Sequence, residues 1–164
     1  MKALQLTAYN KLEYLDVPKP EITNPTEVLI RIKAAAICGS DVAGMDGSTG
    51  RRQPPIIMGH EGSGVIEEVG PSVTMFKVGD RVTFDSTIFC GICPFCKQGE
   101  FNLCDNRRVL GVSCDEYHRD GIFAEYAIVE ERVLFALPEA LDFVSAAFTE
   151  PAGVAAHAIS LAAP

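Results

Sequence analysis

The strongest constraint on the fold is a run of four cysteines within residues 90–106. Gaps of two, two and seven residues separate Cys90, Cys93, Cys96 and Cys104. A CxxC step turns the chain tightly enough for two sulfur atoms to face one point, and here the step occurs twice in succession. Four thiolates suit tetrahedral Zn²⁺, with Zn–S distances of about 2.3 Å. The stretch therefore predicts a structural zinc lobe, at about residues 89–106, in which protein atoms fill every coordination position.

Two other roles for these cysteines, in disulfides or in an iron–sulfur cluster, are less consistent with the sequence. Disulfides between such near neighbours would close small strained rings, and nothing in the sequence suggests secretion. Ferredoxin-type iron–sulfur motifs also begin with CxxCxxC, but their fourth cysteine usually comes sooner and precedes a proline. We therefore favour zinc. Turn-forming residues interrupt the stretch and predict a loop around the ion with neither helix nor strand: Gly91, Pro94 and Gly99.

The length and net charge of the chain limit the number of domains and the kinds of partner that are possible. The 164 residues suffice for about one domain. A formal charge of −8 argues against nucleic acid or an anionic membrane as a partner, because both require a basic face. The sequence shows neither a signal peptide nor an apolar run approaching the length of a membrane span, about 18 residues. Cysteines spaced for metal in such a chain predict a cytoplasmic location.

The apolar pattern has strand periodicity first and helical periodicity after Leu141. It predicts a hairpin over Met1–Val17 and a strand over Glu27–Ile37. Further strands are predicted at Val65–Val69, Arg81–Phe84, Gly121–Val129 and Val133–Leu137. The helical part divides at Glu150-Pro151, because proline is tolerated in the first turn of a helix, and the second helix is predicted to continue to Ala163. The expected class is mainly β with C-terminal helices.

A second set of metal-binding residue types lies outside the cysteine run. Cys38 ends a strand at a Gly39-Ser40-Asp41 turn, and His60-Glu61 lies in a turn bracketed by glycines. A lone cysteine is usually a small buried hydrophobe, but turns at strand ends often carry functional groups. Cysteine, histidine and carboxylate together suit zinc with one position left open. The sequence thus predicts a second zinc ion in addition to the closed cluster.

The order and spacing of these motifs resemble zinc-dependent medium-chain alcohol dehydrogenases. The resemblance rests on Cys38-Gly-Ser-Asp, Gly59-His60-Glu61-Gly-x-Gly and the four-cysteine run. Gly121–Tyr126 and Glu150-Pro151 are similar to the polyol branch, which includes sorbitol dehydrogenases. The likeness covers the chain from residue 1 to residue 163. It implies that residues 1–164 form a GroES-like β-barrel catalytic domain.

The resemblance also implies ligands and catalytic residues. Cys38 and His60 would be catalytic zinc ligands. Glu150 stands where the polyol branch has a glutamate that binds the ion directly or through water. Glu61 is similar to a neighbouring glutamate that coordinates in some members. The choice between the two glutamates stays open at this point.

Two further residues of the Cys38 motif have implied roles. Asp41 resembles a carboxylate that orients the zinc-bound imidazole. Ser40 resembles the hydroxyl that carries a proton away from the substrate, although it could equally be a simple turn residue. The family implies oxidation of a small alcohol or polyol, with two zinc ions per chain, hydride transfer to NAD or NADP, and a homo-oligomer when full length.

A nucleotide-binding (Rossmann) domain is not predicted in this chain. Gly62-Ser63-Gly64 is not a dinucleotide motif, because residue 67 is Glu67 and the glycines precede a strand where the motif must follow one. Residues 150–164 are expected to begin the helix that leads to such a domain, so this chain alone is expected to be inactive. The alternatives are a stand-alone zinc-binding or interaction module, and a domain in which only the four cysteines hold metal.

Other reactive side chains are predicted to have lesser roles. His118 lies in a charged loop and is expected to be solvated, and Cys114 is expected to pack. His157 shares a helical face with Glu150 but lies about 10 Å further along, too far to bind the same ion. The Arg51-Arg52 pair could meet a phosphate or carboxylate of the substrate, although exposed arginines are usually only solvated.

Overall fold

The protein is mainly β. A computed structural model describes residues 1–162, which contain twelve short strands. In chain order these are β1 (Lys2–Ala8), β2 (Lys11–Asp16), β3 (Glu27–Ala36), β4 (Ile56–Ile57), β5 (Glu61–Val69), β6 (Arg81–Phe84), β7 (Thr87–Ile88), β8 (Arg108–Val109), β9 (Val112–Cys114), β10 (Tyr117–Arg119), β11 (Tyr126–Glu130) and β12 (Leu134–Ala136).

Short helices separate some of the strands, and two helices follow them. They are α1 (Gly39–Gly44), α2 (Pro94–Lys97), α3 (Phe143–Ala147) and α4 (Thr149–Ala162). The carboxylate of Asp142 caps α3 by accepting the N–H of Ser145. The two predicted C-terminal helices are confirmed, and the predicted end at Ala163 lies outside the described residues. Within residues 1–162 no helix combines the length and apolar character needed to cross a membrane.

The central sheet has five strands in the order β11-β3-β5-β6-β12. A second sheet has the order β2-β1-β4, and two small ladders pair β9 with β10 and β7 with β8. Every strand pairing in the described part of the chain is antiparallel, so this part contains no βαβ unit. Alternate residues of the central strands build the main core, including Val28, Ile30, Ile66 and Val82. The predicted class, mainly β with C-terminal helices, is confirmed.

The predicted start of β5 was wrong. The strand begins at Glu61 rather than Val65, so Gly62 and Gly64 lie within it. A Cβ atom on Gly64 would lie 2.4 Å from the carbonyl oxygen of Arg31 on β3. Glycine therefore allows β3 and β5 to approach each other here, and the same glycines had suggested a turn from sequence alone.

Two other boundaries also differ. The strand predicted from Gly121 begins only at Tyr126, because the backbone of residues 121–123 bonds to the carbonyl groups of residues 57–59 instead. Within the four-cysteine run, the chain forms the short helix α2 where a loop was expected. Pro94 occupies the first turn of α2, where its missing N–H is not needed.

Candidate metal centres

The four clustered cysteines converge on one point. Their sulfur atoms lie within 4.8 Å of one another. The Sγ atom of Cys90 is 3.6 Å from that of Cys104 and 4.0 Å from that of Cys96. A tetrahedral Zn²⁺ with Zn–S bonds of about 2.3 Å requires sulfur atoms about 3.8 Å apart, whereas a disulfide requires about 2.0 Å. The spacing therefore fits zinc, and none of the six cysteines is in a disulfide. We call residues 89–106 the cysteine lobe.

Backbone N–H groups surround these sulfur atoms. The N–H of Cys93 donates to Sγ of Cys90 over 3.4 Å, and the N–H of Cys90 donates to Sγ of Cys104 over 3.3 Å. Donors aimed at sulfur favour the thiolate, which is the form that binds metal. The N–H groups of Ile92 and Cys93 accordingly lower the pKa of Cys90 to about 6. The N–H donors also lower the pKa of Cys93, whereas burial raises the pKa of Cys96 to about 12, so the fold favours the thiolate at two of the four ligands.

The cysteine lobe is attached to the barrel at its base. Cys96 and Cys104 are buried in the same core cluster as the central strands. The guanidinium of Arg132 lies 4.2 Å from the centre of the Phe89 ring, and its Nη2 donates to the carbonyl of Phe89 over 2.6 Å. The Phe89 and Phe101 rings stack with their centres 4.2 Å apart. The lobe therefore shares its packing with the barrel.

A second cluster forms where β3 and β5 meet. One ligand atom each from Cys38, His60 and Glu61 lies within 4.8 Å of the other two. The sheet register explains this, because Ala36 pairs with Glu61 and so brings the end of β3 to the start of β5. Gly59 precedes His60 with a φ of +91°, which favours glycine. We call Cys38, His60 and Glu61 the open centre, since three ligands leave a coordination position for a substrate.

A buried carboxylate faces the imidazole of the open centre. The Oδ1 atom of Asp41 lies 3.5 Å from Nδ1 of His60, and its Oδ2 accepts the N–H of Cys38 over 3.2 Å. With Nδ1 facing the carboxylate, Nε2 is the nitrogen left for a metal. Burial opposes protonation of His60, but Asp41, together with Cys38, raises the pKa of His60 to about 9. A metal must therefore displace a proton from this ring.

Comparison with known proteins places these centres in a family. Residues 24–139 match the alcohol dehydrogenase GroES-like domain. A sorbitol dehydrogenase from Halalkalibacterium halodurans is 41% identical over 98% of this chain and 46% of its own length.

The chain belongs to the zinc-dependent medium-chain alcohol dehydrogenase family.

The GroES-like fold that the resemblance to this alcohol dehydrogenase family implied is confirmed. The chain is similar to a D-arabitol-phosphate dehydrogenase from Enterococcus avium, at 36% identity over 94% of this chain and 43% of that protein. The structure of galactitol-1-phosphate dehydrogenase from Escherichia coli superposes with a TM-score of 0.90, at 34% identity over 99% of this chain and 45% of the other. The chain thus spans slightly less than half the length of these relatives.

Two predicted site residues of this alcohol dehydrogenase domain are not among the three converging ligands of the open centre. Glu150 is half-buried in the first turn of α4, and its Oε1 accepts the hydroxyl of Ser86 over 3.1 Å. Within the described residues, the group of converging ligand atoms contains Glu61 but not Glu150. Ser40 is exposed at the start of α1, two residues after Cys38. The roles of Glu150 and Ser40 stay predictions.

The remaining reactive residues of the domain lie outside both centres. His118 is half-exposed and bonds through its ring nitrogens to Ser113 (3.1 Å) and Asp120 (3.3 Å). His157 is exposed on α4, and Cys114 belongs to neither cluster. Arg51 is exposed and donates to the hydroxyl of Tyr117 over 3.4 Å.

Arg52 contradicts the expectation of a solvated or substrate-binding arginine. Its side chain is only 5% exposed, and its Nη2 donates to Oδ1 of Asp41 over 3.2 Å. This contact was missed in the sequence because nothing in an Arg-Arg pair distinguishes the buried member from the exposed one.

Proposed function

We propose that this chain is the metal-binding catalytic domain of a dehydrogenase that oxidises a secondary alcohol group of a polyol or polyol phosphate. The observation that carries the proposal is the incomplete ligand set of the open centre, found in the same domain as a complete four-thiolate cluster. A complete cluster has no position for a substrate, whereas three protein ligands leave one. The names of the similar proteins supply the substrate class.

The residues of the open centre fit Zn²⁺. A thiolate, an imidazole and a carboxylate form a mixed sulfur, nitrogen and oxygen set that this borderline-soft ion accepts. His60 and Glu61 are buried, and Cys38 is half-buried. When bound, Zn²⁺ would supply Lewis acidity that lowers the pKa of a substrate hydroxyl.

The side chains of this domain have separate roles in the proposed reaction. Cys38 and His60 hold the ion, Glu61 is the third ligand, and Asp41 keeps the imidazole in place. Ser40 receives the proton of the substrate hydroxyl and passes it towards solvent. The carbon that bears the hydroxyl gives a hydride to the nicotinamide ring. The products are a ketone, reduced nucleotide and one proton.

The nucleotide is held by residues outside this chain in the proposal. Nucleotide sites of the dinucleotide type require a glycine-rich turn between a strand and a helix of a βαβ unit. All strand pairs of residues 1–162 are antiparallel, so this requirement is not met there. The domain limits, the cytoplasmic location and the homo-oligomer stay predictions.

An activity panel tests the proposal. The full-length protein that contains this chain is assayed with NAD and NADP against sorbitol, xylitol, D-arabitol phosphate and galactitol 1-phosphate. We expect nucleotide reduction with at least one of them, and two zinc ions per chain by elemental analysis. Absence of reduction with a wider panel of polyols, in protein that holds both ions, would contradict the assignment.

A further inference from the structure

Arg52 is a buried charge with a defined environment. Among the lysine and arginine side chains of residues 1–162, it alone is buried. It lies in the loop between α1 and β4, where most other residues are exposed. Burial of a charge is unfavourable unless a counter-charge and hydrogen bonds accompany it. The contacts of Arg52 should therefore include groups that stabilise its buried charge.

Three contacts fix the Arg52 side chain. Its Nη2 donates to Oδ1 of Asp41 over 3.2 Å, and its Nη1 donates to the carbonyl of Arg51 over 3.0 Å. Its aliphatic part passes directly over Gly44, where a Cβ atom would lie 2.3 Å from Cγ of Arg52. The last residue of α1 thus leaves the space that the arginine occupies.

The contacts continue from Arg52 to the open centre. The Asp41 oxygen that accepts from Arg52 is the one that lies 3.5 Å from Nδ1 of His60. The other oxygen accepts the backbone N–H of Cys38. The carboxylate is therefore held from two sides, by the guanidinium and by the backbone of a ligand residue. Neither rotation nor withdrawal of the carboxylate is possible without breaking one of these bonds.

We propose that Arg52 is a positioning residue of the open centre, which fixes the Asp41 carboxylate and through it the His60 ring, with Nε2 towards the metal. The inference rests on the proposed function, since it concerns the same centre. Arg52 does not contact the metal ligands itself. Its effect is to preorganise a ligand, so it should appear as tighter metal binding at the open centre only.

Metal affinity of the two centres is the test. Zinc dissociation constants are measured by competition with a chelator for the purified protein and for Arg52→Met. We expect affinity at the open centre to fall by up to about 10-fold, the lower end of the effect typical when the direct partner of a ligating histidine is lost, because Arg52 acts through that partner, and affinity at the cysteine lobe to stay unchanged. Arg51→Met, its exposed neighbour, should leave both constants unchanged. Arg52→Lys should give an intermediate loss, because one ammonium cannot reproduce the guanidinium fork.

A second variant disturbs the contact between Arg52 and Asp41 without removing a charge. Gly44→Ala should displace the Arg52 side chain and weaken zinc at the open centre, again with the cysteine lobe unaffected. In Co²⁺-substituted protein, both variants should change the ligand-field absorption of the open centre alone. The double variant Asp41→Asn/Arg52→Met should lose no more affinity than Asp41→Asn, because Arg52 acts through Asp41.

The outcomes separate this inference from the proposed function. Wild-type zinc affinity at the open centre in Arg52→Met or Arg52→Lys, whichever folds, would overturn the role of Arg52. Additive losses in the double variant would overturn it as well. A wild-type protein that binds only the ion of the cysteine lobe would instead overturn the proposed function.

Discussion

The cysteine lobe and the open centre are built in opposite ways. The four ligands of the lobe come from one stretch, Cys90–Cys104, and the backbone N–H groups of that stretch surround them. The ligands of the open centre come from the ends of two paired strands, and a buried carboxylate paired with a buried arginine lies next to His60. A metal ion would thus be part of the local fold in the first region, whereas the pairing of barrel strands assembles the second.

This difference predicts different consequences of losing each ion. The lobe has little regular structure to hold four thiolates together without a cation, so its ion contributes folding free energy. The open centre lies on the longest strand pair of the central sheet, which the core stabilises independently of any metal. Loss of the first ion should therefore affect stability, and loss of the second should affect activity.

The largest effect is expected from Cys93→Ser. It removes a ligand of the cysteine lobe, so zinc content should fall from two ions to one, and the free energy of unfolding should fall by about 4 kcal/mol or more. Cys114→Ser, which changes a cysteine outside both centres, should cost less than about 1 kcal/mol. Denaturant unfolding with elemental analysis measures both quantities. A Cys93→Ser protein with two ions and unchanged stability would remove the contrast between the centres.

Cys38→Ser should give the converse result. Zinc content should again fall to one ion, while the free energy of unfolding should fall by less than in Cys93→Ser, because only the mass-action contribution of an ion bound to the folded protein is lost. The rate of alcohol oxidation should fall about 10³-fold or more, which corresponds to about 4 kcal/mol of transition-state stabilisation. Retention of both ions would mean that Cys38 is not a ligand of the second ion.

A smaller effect distinguishes the two glutamates. Glu61→Gln should weaken zinc at the open centre by at least about 10-fold, because loss of a ligand costs no less than loss of a partner behind one. Glu150→Gln should have less effect than this, since the carboxylate of Glu150 already accepts from Ser86 and lies outside the converging group. Zinc competition titrations compare the two variants. The reverse order would assign the ligand to α4 instead of β5.

A change of one pH unit is expected to have the smallest effect on zinc affinity. The pKa of His60 is raised to about 9, so below that pH the ring holds a proton that zinc must displace. Affinity at the open centre should therefore fall at least about tenfold, or about 1.4 kcal/mol, for each pH unit between 8 and 6. At a suitable zinc concentration, acidification should empty the open centre before the lobe, which has four protein ligands, although the lobe also loses affinity because zinc must displace a proton from Cys96, whose pKa burial raises to about 12. Simultaneous loss of both ions in equilibrium dialysis would contradict this.

Local sequence was sufficient to predict the cysteine lobe and most strands. The cysteine spacing brings the four sulfur atoms together whatever the rest of the chain does, and alternation predicted β3 and β6 almost to the residue. The short helix α2 was missed because a proline and two flanking cysteines resemble a loop in sequence. The start of β5 was missed because its glycines are required by close contact with β3, and that contact is a long-range feature.

The open centre was only partly predictable. Its residue types indicated zinc, but the pairing of Ala36 with Glu61 that joins them depends on the sheet register. The burial of Arg52 was unpredictable for the same reason. It depends on the space over Gly44 and on a carboxylate in another element, and a lone arginine in a polar loop carries neither signal.

The pairing of β7 with β8 also affects which changes of length the domain tolerates. The chain enters the cysteine lobe along Thr87–Ile88 and leaves it along Arg108–Val109, and these strands are hydrogen-bonded neighbours. Neighbouring strands lie about 4.8 Å apart, so the lobe begins and ends at almost the same point on the barrel. Changes of length between Cys96 and Cys104, outside the two CxxC steps, would therefore leave the register of the described barrel strands unaltered.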